Sequence, residues 1–475
     1  MKSLVALFLT IPLFLLSLAQ AWQPVAEQAG EPTREFRAAW VATVFNLDWP
    51  SRAGLSAAQQ KAEMLAILNK AAQLRLNAII LQIRPNADAL YQSSYEPWSA
   101  WLSGAGRNPG YDPLAFAIAE GHKRGIEIHA WFNPFRATIG GKSVGRGHVS
   151  ATMSRFILRA GSTTMLNPSA SAAQAHVLKV IMDVVKRYDI DGVHLDDYFY
   201  PYPPHNRVAD GRTPAQRRAA VDSFVQRLYS EVKSAKPWVR VGISPFGIWR
   251  PGYPSGVKAG VDAYEHLACD ARKWIQKGWV DYLAPQLYWR IAGDQSFTSL
   301  MQWWSSLNTR RPIWPGIASQ RIRSKEDPSR PASEIGRQID YSRNLAKQSA
   351  GQLFWSWTSL RENRGGVNAQ IAARYTSAAL TPAMPWSGSA KPLMPRAAAQ
   401  DAGNVCQIRW EPSDRSARTW AIQARINGYW YVLCVLPSYQ KSVTLPISMT
   451  SRADRLAVRP ISACGNSGQA AVLAR

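Results

Sequence analysis

The sequence predicts an α/β protein, a (β/α)8 TIM barrel followed by a small β-sandwich domain. Two observations carry this prediction. Short apolar segments typical of strands alternate eight times with helix-like segments between Phe36 and Trp357, as in a barrel of parallel strands. Beyond a Pro-rich stretch that begins at Thr381, the pattern changes to closely spaced strands that are joined by turns.

The predicted elements follow in regular order. The barrel strands cover residues 36–43, 78–84, 127–133, 192–196, 240–245, 282–287, 312–317 and 351–357. The clearest helices between them cover residues 56–74, 113–124, 168–188, 213–234 and 333–346. In the third helix, Asn167 is expected to cap the first turn and Pro168 to occupy it.

Alternation along the strands sorts their side chains. Ile79, Leu81 and Ile83 are expected to face the helices, so Gln82 and Arg84 face the barrel axis. Applied to the other strands, the same rule places the following residues on the axis side: Glu127, His129, Trp131, Asn133, His194, Asp196, Ser244, Gln286 and Tyr288. Independent strands therefore place polar groups near their C-terminal ends, where barrel enzymes build active sites.

Two adjacent carboxylates, Asp196 and Asp197, end the fourth strand and make the strongest catalytic candidates. Asp196 faces the axis and is expected to act as nucleophile or base. The alternative is a structural carboxylate that bonds to nearby backbone or to Arg84. Asp197 or Asp88 is expected to act as the acid, although Asp88 is equally suited to capping the turn before Tyr91.

Other polar and aromatic side chains near the same strand ends are expected to contact a substrate. The predicted substrate-binding residues are Arg84, His129, Asn133, His194, Gln286, Tyr288, Trp289 and Tyr198. Glu127 begins its strand and is expected to support the site from below, while Asp48 and Glu362 are reserve acids. No cofactor or metal is expected, because His129, His194 and Asp196 are accompanied by no metal-binding motif.

The first 21 residues have the form of a signal peptide: Lys2, an apolar run from Leu4 to Leu18, and a small-x-small site that ends at Ala21. No cysteine lies near that site, and no later apolar stretch is long enough to span a bilayer. These features predict a soluble, exported protein, most simply a periplasmic one.

The chain has a formal net charge of +24 and contains 20 tryptophans. For an exported protein, this charge favours an anionic envelope polymer over nucleic acid. Indole rings pack well against the C–H faces of sugars. A basic surface without a dedicated partner, and tryptophans that only fill the core, are the alternatives.

Six motifs occur in a defined order: RAAWVAT from Arg37, QIRPNADALY from Gln82, EIHAWFNPFR from Glu127, DGVHLDDYFYP from Asp191, GISPFGIWR from Gly242 and APQLYW from Ala284. Together they resemble the glycosyl hydrolase-like 10 family, which includes bacterial envelope proteins that act on peptidoglycan glycan. The resemblance covers residues 33–380. It implies a TIM barrel, an envelope location and a carbohydrate substrate.

Two other resemblances bear on the mechanism. The strand that ends at Asp196 is similar to the alpha-amylase strand that ends in the nucleophile, which implies that role for Asp196. In chitinases with a DGxDxDxE motif, the acid glutamate falls where this chain has Tyr198. Substrate-assisted catalysis of the chitinase form is therefore not expected here.

The tail, residues 404–475, resembles a fibronectin type III-like module that follows a linker at 381–403. The fibronectin-like strand order implies a disulfide between Cys434 and Cys464, with Cys269 and Cys406 free. The sequence as a whole predicts an exported glycoside hydrolase that acts on cell-wall glycan strands. A protein that binds the same glycan without cleaving it is the alternative, because no second catalytic carboxylate is unambiguous.

Overall fold

The computed structural model describes residues 20–475 except 308, 347–349 and 389. The predicted signal peptide therefore lies outside the described residues, apart from its last two positions. Nineteen strands are found in the described part: β1 Gln20–Val25, β2 Phe36–Val41, β3 Ala78–Arg84, β4 Glu127–Phe132, β5 Arg136–Thr138, β6 Ile157–Ala160, β7 Thr163–Leu166, β8 Gly192–Asp196, β9 Arg240–Ser244, β10 Tyr282–Leu283, β11 Gly316–Ala318, β12 Gly351–Trp355, β13 Arg396–Ala402, β14 Val405–Glu411, β15 Ala417–Ile426, β16 Tyr429–Pro437, β17 Ser442–Pro446, β18 Arg455–Ser462 and β19 Ala471–Ala474.

Eleven α-helices are found in the same described part: α1 Ala57–Gln73, α2 Pro113–His122, α3 Val149–Thr152, α4 Ser171–Arg187, α5 Pro214–Ala235, α6 Ala263–His266, α7 Ala271–Lys277, α8 Phe297–Ser306, α9 Ser333–Ala346, α10 Trp357–Arg361 and α11 Val367–Ala372. Helix α1 begins with a capping box, in which the Ser56 side chain accepts from the backbone N–H of Gln59. Thr213 and Gln216 form the same motif at the start of α5.

Eight parallel strands form the barrel, in the order β10-β9-β8-β4-β3-β2-β12-β11. Parallel bridges from Leu283 to Ile313 and from Gln286 to Gly316 connect the two ends of this sheet. The predicted (β/α)8 barrel is confirmed. All eight predicted strands are present, and the sixth and seventh are the ones whose bounds differ most.

The predicted sorting of side chains is also confirmed. Ile79, Leu81 and Ile83 belong to the large core between the strands and the helices. A second core fills the barrel interior with aromatic side chains, including Phe36, Trp40, Trp131, Tyr282 and Trp314. The barrel is therefore packed along its axis, and its C-terminal mouth is where side chains become accessible.

The predicted start of the third helix is wrong. α4 begins at Ser171, its N-cap is Ala170, and no side chain caps it. Asn167 instead accepts a hydrogen bond from the backbone N–H of Ser169 at 2.9 Å, which forms a local turn before the helix. An Asn side chain that bonds two residues ahead stabilises such a turn as readily as a cap.

An antiparallel sheet domain packs beyond the barrel, with strand order β16-β15-β18-β19-β1-β13-β14-β17. Its two halves meet at β1, and they share a core that includes Trp22, Trp410 and Trp420. The predicted Asn427-Gly428 hairpin turn is present, with positive φ at both residues.

Two strands of this sheet fall outside the predicted tail. β13 lies within the expected linker, and β1 comes from the N-terminal end of the described chain. Alanine dominates β13, so its sequence carries little strand signal. The first half of β1 pairs with β13 and its second half pairs with β19.

The predicted disulfide between Cys434 and Cys464 is wrong, because both cysteines carry free thiols. Cys434 lies within β16, opposite Ile422 of β15, whereas Cys464 lies in the turn after β18. The free state predicted for Cys269 and Cys406 is confirmed. In the part of the chain that the structure describes, no helix is long and apolar enough to cross a membrane.

Candidate active site

Asp196 lies at the C-terminal end of β8, at the barrel mouth. Its Oδ2 atom accepts a hydrogen bond from Asn133 Nδ2. Its Oδ1 atom is buried, and the indole of Trp131 and the backbone of Tyr198 also act as hydrogen-bond donors to this carboxyl. Donors from the end of β4 and from the turn after β8 therefore hold the Asp196 side chain in place.

A chain of hydrogen bonds fixes the orientation of the Asn133 amide. Gln82 Oε1 accepts from the backbone N–H groups of Thr43 and Val44 at 2.8 and 2.9 Å, so Gln82 Nε2 donates to Asn133 Oδ1 at 2.5 Å. Arg136 Nη2 donates to the same Asn133 oxygen at 2.7 Å. Because that oxygen receives two donors, the Asn133 NH2 group must face Asp196 as a donor.

The two adjacent carboxyls, Asp196 and Asp197, both have raised pKa values. Burial raises the pKa of Asp196 to about 7, against the opposing charge of Arg136 and with the help of the like charge on Asp197. Burial also raises the pKa of Asp197 to about 6, although hydrogen bonds from Tyr202 and Gln286 oppose the shift. Near neutral pH, this pair therefore holds and releases a proton.

Aromatic side chains surround Asp197. Tyr202 donates its hydroxyl to Asp197 Oδ2, and its ring lies 5.8 Å from that of Tyr198. The charge of Asp197 also acts on the buried phenol of Tyr288. Asp197 has the opposite parity to Asp196, so the turn after β8 carries it toward the residues that follow β10.

Asp88 and Arg84 hold the loop that follows β3. Asp88 accepts hydrogen bonds from the backbone N–H groups of Asn86 and Ala100, at 3.0 and 3.3 Å. Arg84 forms a buried two-pronged ion pair with Glu96, at 2.7 and 2.6 Å, and donates further to the carbonyl of Asn133. The guanidinium of Arg84 is therefore engaged away from Asp196.

His129 and His194 lie inside the barrel, beneath the mouth. Both ring Nδ1 atoms contact the hydroxyl of Tyr282, at 3.0 and 2.9 Å. His194 Nε2 accepts from the Trp40 indole at 3.1 Å, and His129 Nε2 lies 3.1 Å from Glu127 Oε2. Burial holds the pKa of His194 well below its usual value, so this ring is neutral.

These histidines are not arranged with Asp196 as metal ligands. Within the described ranges, no group of three His, Cys, Asp or Glu side chains lies close enough together to hold a metal ion. Glu127, expected to support the site from below, approaches Arg240 at 3.7 Å and accepts from Thr381 at 2.6 Å. It belongs to the closed end of the barrel.

The reserve acids have ordinary structural partners. Asp48 is buried and accepts from the backbone of Ala42 and from Thr358, at 2.9 and 2.7 Å. Glu362 is exposed and pairs with Arg364. Sequence analysis gave no role to Arg136 or Glu96, because Arg136 begins the three-residue strand β5, which is too short to show a periodicity, and Glu96 lies in the loop after β3.

Residues 35–330 match the glycosyl hydrolase-like 10 family, which is more than half of the chain. The chain belongs to the glycosyl hydrolase-like 10 family. It is 39% identical over 425 residues to glycosyl hydrolase YngK of Bacillus subtilis, covering 82% of each chain. It is 32% identical over 370 residues to glycosyl hydrolase DigH of Escherichia coli K12, covering 69% of this chain and 84% of that one.

Among solved structures, alpha-L-fucosidase isoenzyme 2 from Paenibacillus thiaminolyticus aligns with a TM-score of 0.46 and 12% identity. The alignment covers 76% of this chain and 52% of the fucosidase chain. Membership of the glycosyl hydrolase-like 10 family supports hydrolase activity in general. The carboxylate pair at the barrel mouth is where such chemistry has the groups that it needs.

A cavity lies at the opposite end of the barrel, between the N-terminal strand ends and the antiparallel sheet domain. Its charged side chains pair with one another, as in the contact of Arg418 with Asp189 at 2.7 Å. Residues at this end of a barrel serve stability rather than catalysis. In this glycosyl hydrolase-like 10 protein, the mouth is the candidate active site.

Proposed function

We propose that the protein is an exported glycoside hydrolase that cleaves the glycan strands of the bacterial cell wall. One observation carries the proposal. Asp196 lies at the mouth of a glycosidase-family barrel, directly beside a second carboxyl, and burial raises the pKa of both toward neutrality. Glycoside hydrolysis uses two such carboxyls, one protonated and one ionised.

The surroundings of the two carboxyls favour different roles. Asp196 is approached by a group that can only donate, the NH2 of Asn133, and by the cation of Arg136. Both favour its carboxylate form, which suits a nucleophile or a base. Asp197 meets the hydroxyl of Tyr202, which can either donate or accept. Because the pKa of Asp196, about 7, lies above that of Asp197, about 6, the proton of the pair lies mainly on Asp196 in the free protein, and the proposed roles require it to move to Asp197 when substrate binds.

In the proposed reaction, Asp197 gives its proton to the leaving oxygen as the glycosidic bond breaks. The Asp196 carboxylate stabilises the positive charge that develops on the sugar, either by attacking the anomeric carbon or by activating water. Tyr198, Tyr288 and Trp289 offer partly exposed rings to the sugar faces. Asp88 is assigned to the loop rather than to the acid step.

The substrate assignment is supported by chemistry outside the site. The net charge of +24 suits an anionic wall polymer, and the leader-like residues 1–21 suit export to the periplasm. The antiparallel sheet domain is proposed to be a fibronectin type III-like module that follows the barrel. Binding without hydrolysis remains the second function, since the same groove would serve it.

The test is incubation of the purified protein with intact wall glycan and with glycan stripped of its peptides, followed by mass analysis of the soluble products. We expect defined sugar fragments from the parent protein and none from Asp196→Asn. If the parent binds wall glycan tightly but releases no fragment from either substrate, the hydrolase proposal fails and the binding function replaces it.

A further inference from the structure

An open pocket lies at the barrel mouth beside Trp289. It is formed by segments that follow β9, β10 and β11. Four cationic side chains line it together with two carboxylates: Lys258, Arg290, Arg321 and Arg330, with Asp294 and Asp327. The pocket therefore has more positive than negative charge before any ligand is considered.

Arg330 is the deepest of these cations, with 1% of its side chain exposed. Its Nε donates to Asp327 at 2.7 Å and its Nη2 donates to the Tyr288 carbonyl at 3.1 Å. Its Nη1 is buried and has no hydrogen-bond partner in the described part of the chain. A buried guanidinium with an unmet donor favours the arrival of an anion above it.

Asp327 cannot neutralise this charge alone, because it also pairs with Arg290. Arg321 donates to the Tyr288 carbonyl at 3.2 Å, and its other contact is an ion pair with the exposed Glu326. Solvent screens that pair and leaves it weak. Arg290 and Arg321 are 37% and 31% exposed, so both are accessible to a ligand in the pocket.

The pocket adjoins the catalytic carboxyls. The phenol of Tyr288 is acted on by the charge of Asp197 on one side and by that of Arg321 on the other. A row of rings makes a second connection, since Tyr202, Phe246 and Trp289 follow one another with centroids 6.2 and 5.7 Å apart. A glycan bound at Asp197 would therefore place a neighbouring sugar beside the cations.

We propose that this cationic pocket is a subsite for a carboxylate carried by a sugar residue next to the one that is cleaved. The inference rests on the proposed function, because it extends the same glycan-binding groove. Guanidinium groups match the planar geometry of a carboxylate, and Trp289 supplies a ring for the sugar that carries it. The carboxylate belongs either to a uronic acid or to an acid attached to an amino sugar through an ether.

The test measures kcat/KM on a carboxylate-bearing glycan and on the same glycan after its carboxyls are reduced to alcohols. We expect the parent to prefer the carboxylated form by about tenfold or more, as loss of a charge-assisted hydrogen bond implies. Arg321→Gln is expected to bring that ratio close to one. Arg361→Gln removes an equal charge from an exposed site outside the pocket and should keep the parental ratio.

Equal parental rates on the two glycans would overturn the subsite, and so would an Arg321→Gln variant that keeps the parental ratio. If no glycan is hydrolysed, the proposed function has failed, and calorimetric binding of the same carboxylated and reduced oligosaccharides then tests the subsite alone. The subsite is supported if the parent binds the carboxylated oligosaccharide more tightly than the reduced one and Arg321→Gln loses this difference. Equal binding of the two oligosaccharides by the parent overturns it. Uronate and ether-acid oligosaccharides in parallel identify the source of the carboxylate.

Discussion

Carboxylates at the two ends of the barrel have opposite electrostatic surroundings. At the N-terminal end, burial acts to raise the pKa of Glu35, but hydrogen bonds and charge from Arg343 and Arg37 hold it below its usual value. Asp191 is likewise held low, against burial, by His122 and Arg418. At the C-terminal mouth, the effect of burial exceeds that of the nearby cation Arg136, and the pKa of Asp196 is raised.

The difference lies in the partners, since both ends bury their carboxylates. Glu35 accepts from Arg37 at 2.7 Å and from Arg343 at 2.7 Å, so its charge is matched by two cations. Asp196 instead meets neutral donors, the amide of Asn133 and the indole of Trp131, and the charge of Arg136 does not outweigh its burial. Matched carboxylates hold the fold together, whereas unmatched ones keep a proton that can be transferred.

The largest expected effect is at the mouth. Asp196→Asn keeps the shape of the side chain but removes the charge that an oxocarbenium-like transition state requires, so hydrolysis should fall at least about a thousandfold. Glycan binding and the circular dichroism spectrum should stay close to those of the parent. Near-normal hydrolysis by this variant would remove Asp196 from the mechanism.

A change at the N-terminal end of the barrel should lower stability and leave activity unchanged. Glu35→Gln leaves the buried charge of Arg37 and the partly buried charge of Arg343 without their carboxylate, so the free energy of unfolding should fall by about 3 kcal/mol. Denaturant titration measures this loss. Activity per folded molecule should be unchanged, and Glu362→Gln, at an exposed ion pair, should shift stability by less than about 0.5 kcal/mol.

Substrates with different leaving groups can show which of Asp197 and Asp88 is the general acid and which only stabilises a loop. Asp197→Asn should lower hydrolysis about a hundredfold on glycan with a poor leaving group and much less on an activated aryl glycoside. Asp88→Asn should lower both rates by a similar small factor, because its carboxylate only holds backbone groups. The reverse pattern would assign the acid to Asp88.

The last expected effect concerns the pH dependence of stability. The folded-state pKa of Asp196, about 7, lies above the ordinary value of 3.8, so ionising this group destabilises the folded protein as the pH rises from about 4 to about 7. Asp196→Asn removes that cost and should raise the free energy of unfolding by up to about 4 kcal/mol at pH 8, and by almost nothing at pH 3. An equal gain at both pH values would contradict the raised pKa.

The part of the site that alternation could predict is the part that strands build. Asp196 and Asn133 face the mouth as predicted, because parity along a strand decides which face a side chain takes. The distance of a side chain below the barrel mouth was harder to predict. His129 and His194 face the axis as predicted, yet they lie one or more layers below the mouth, because neighbouring strands are staggered.

The ion-pair partners of the site residues could not be predicted where those partners lie in loops. Arg84 was expected to bind substrate or Asp196, but Glu96, which lies in a segment without periodicity, takes its guanidinium. The cations of the proposed subsite come from loops after three different strands, so only the closed barrel brings them together. Sequence patterns specify faces of strands and helices, while the contacts between loops depend on the finished fold.

The pairing of β1 with β19 sets an order on how the chain can fold. Gln23 lies opposite Ala474, so this contact closes a loop of nearly the whole chain, and its entropic cost is highest when nothing else is formed. The barrel reduces that cost, because the pairing of Phe36 with Gly351 brings the two ends of the barrel segment together first. β1, the first of the described strands, therefore stays unpaired until β13 and β19, which follow the barrel, have been synthesised.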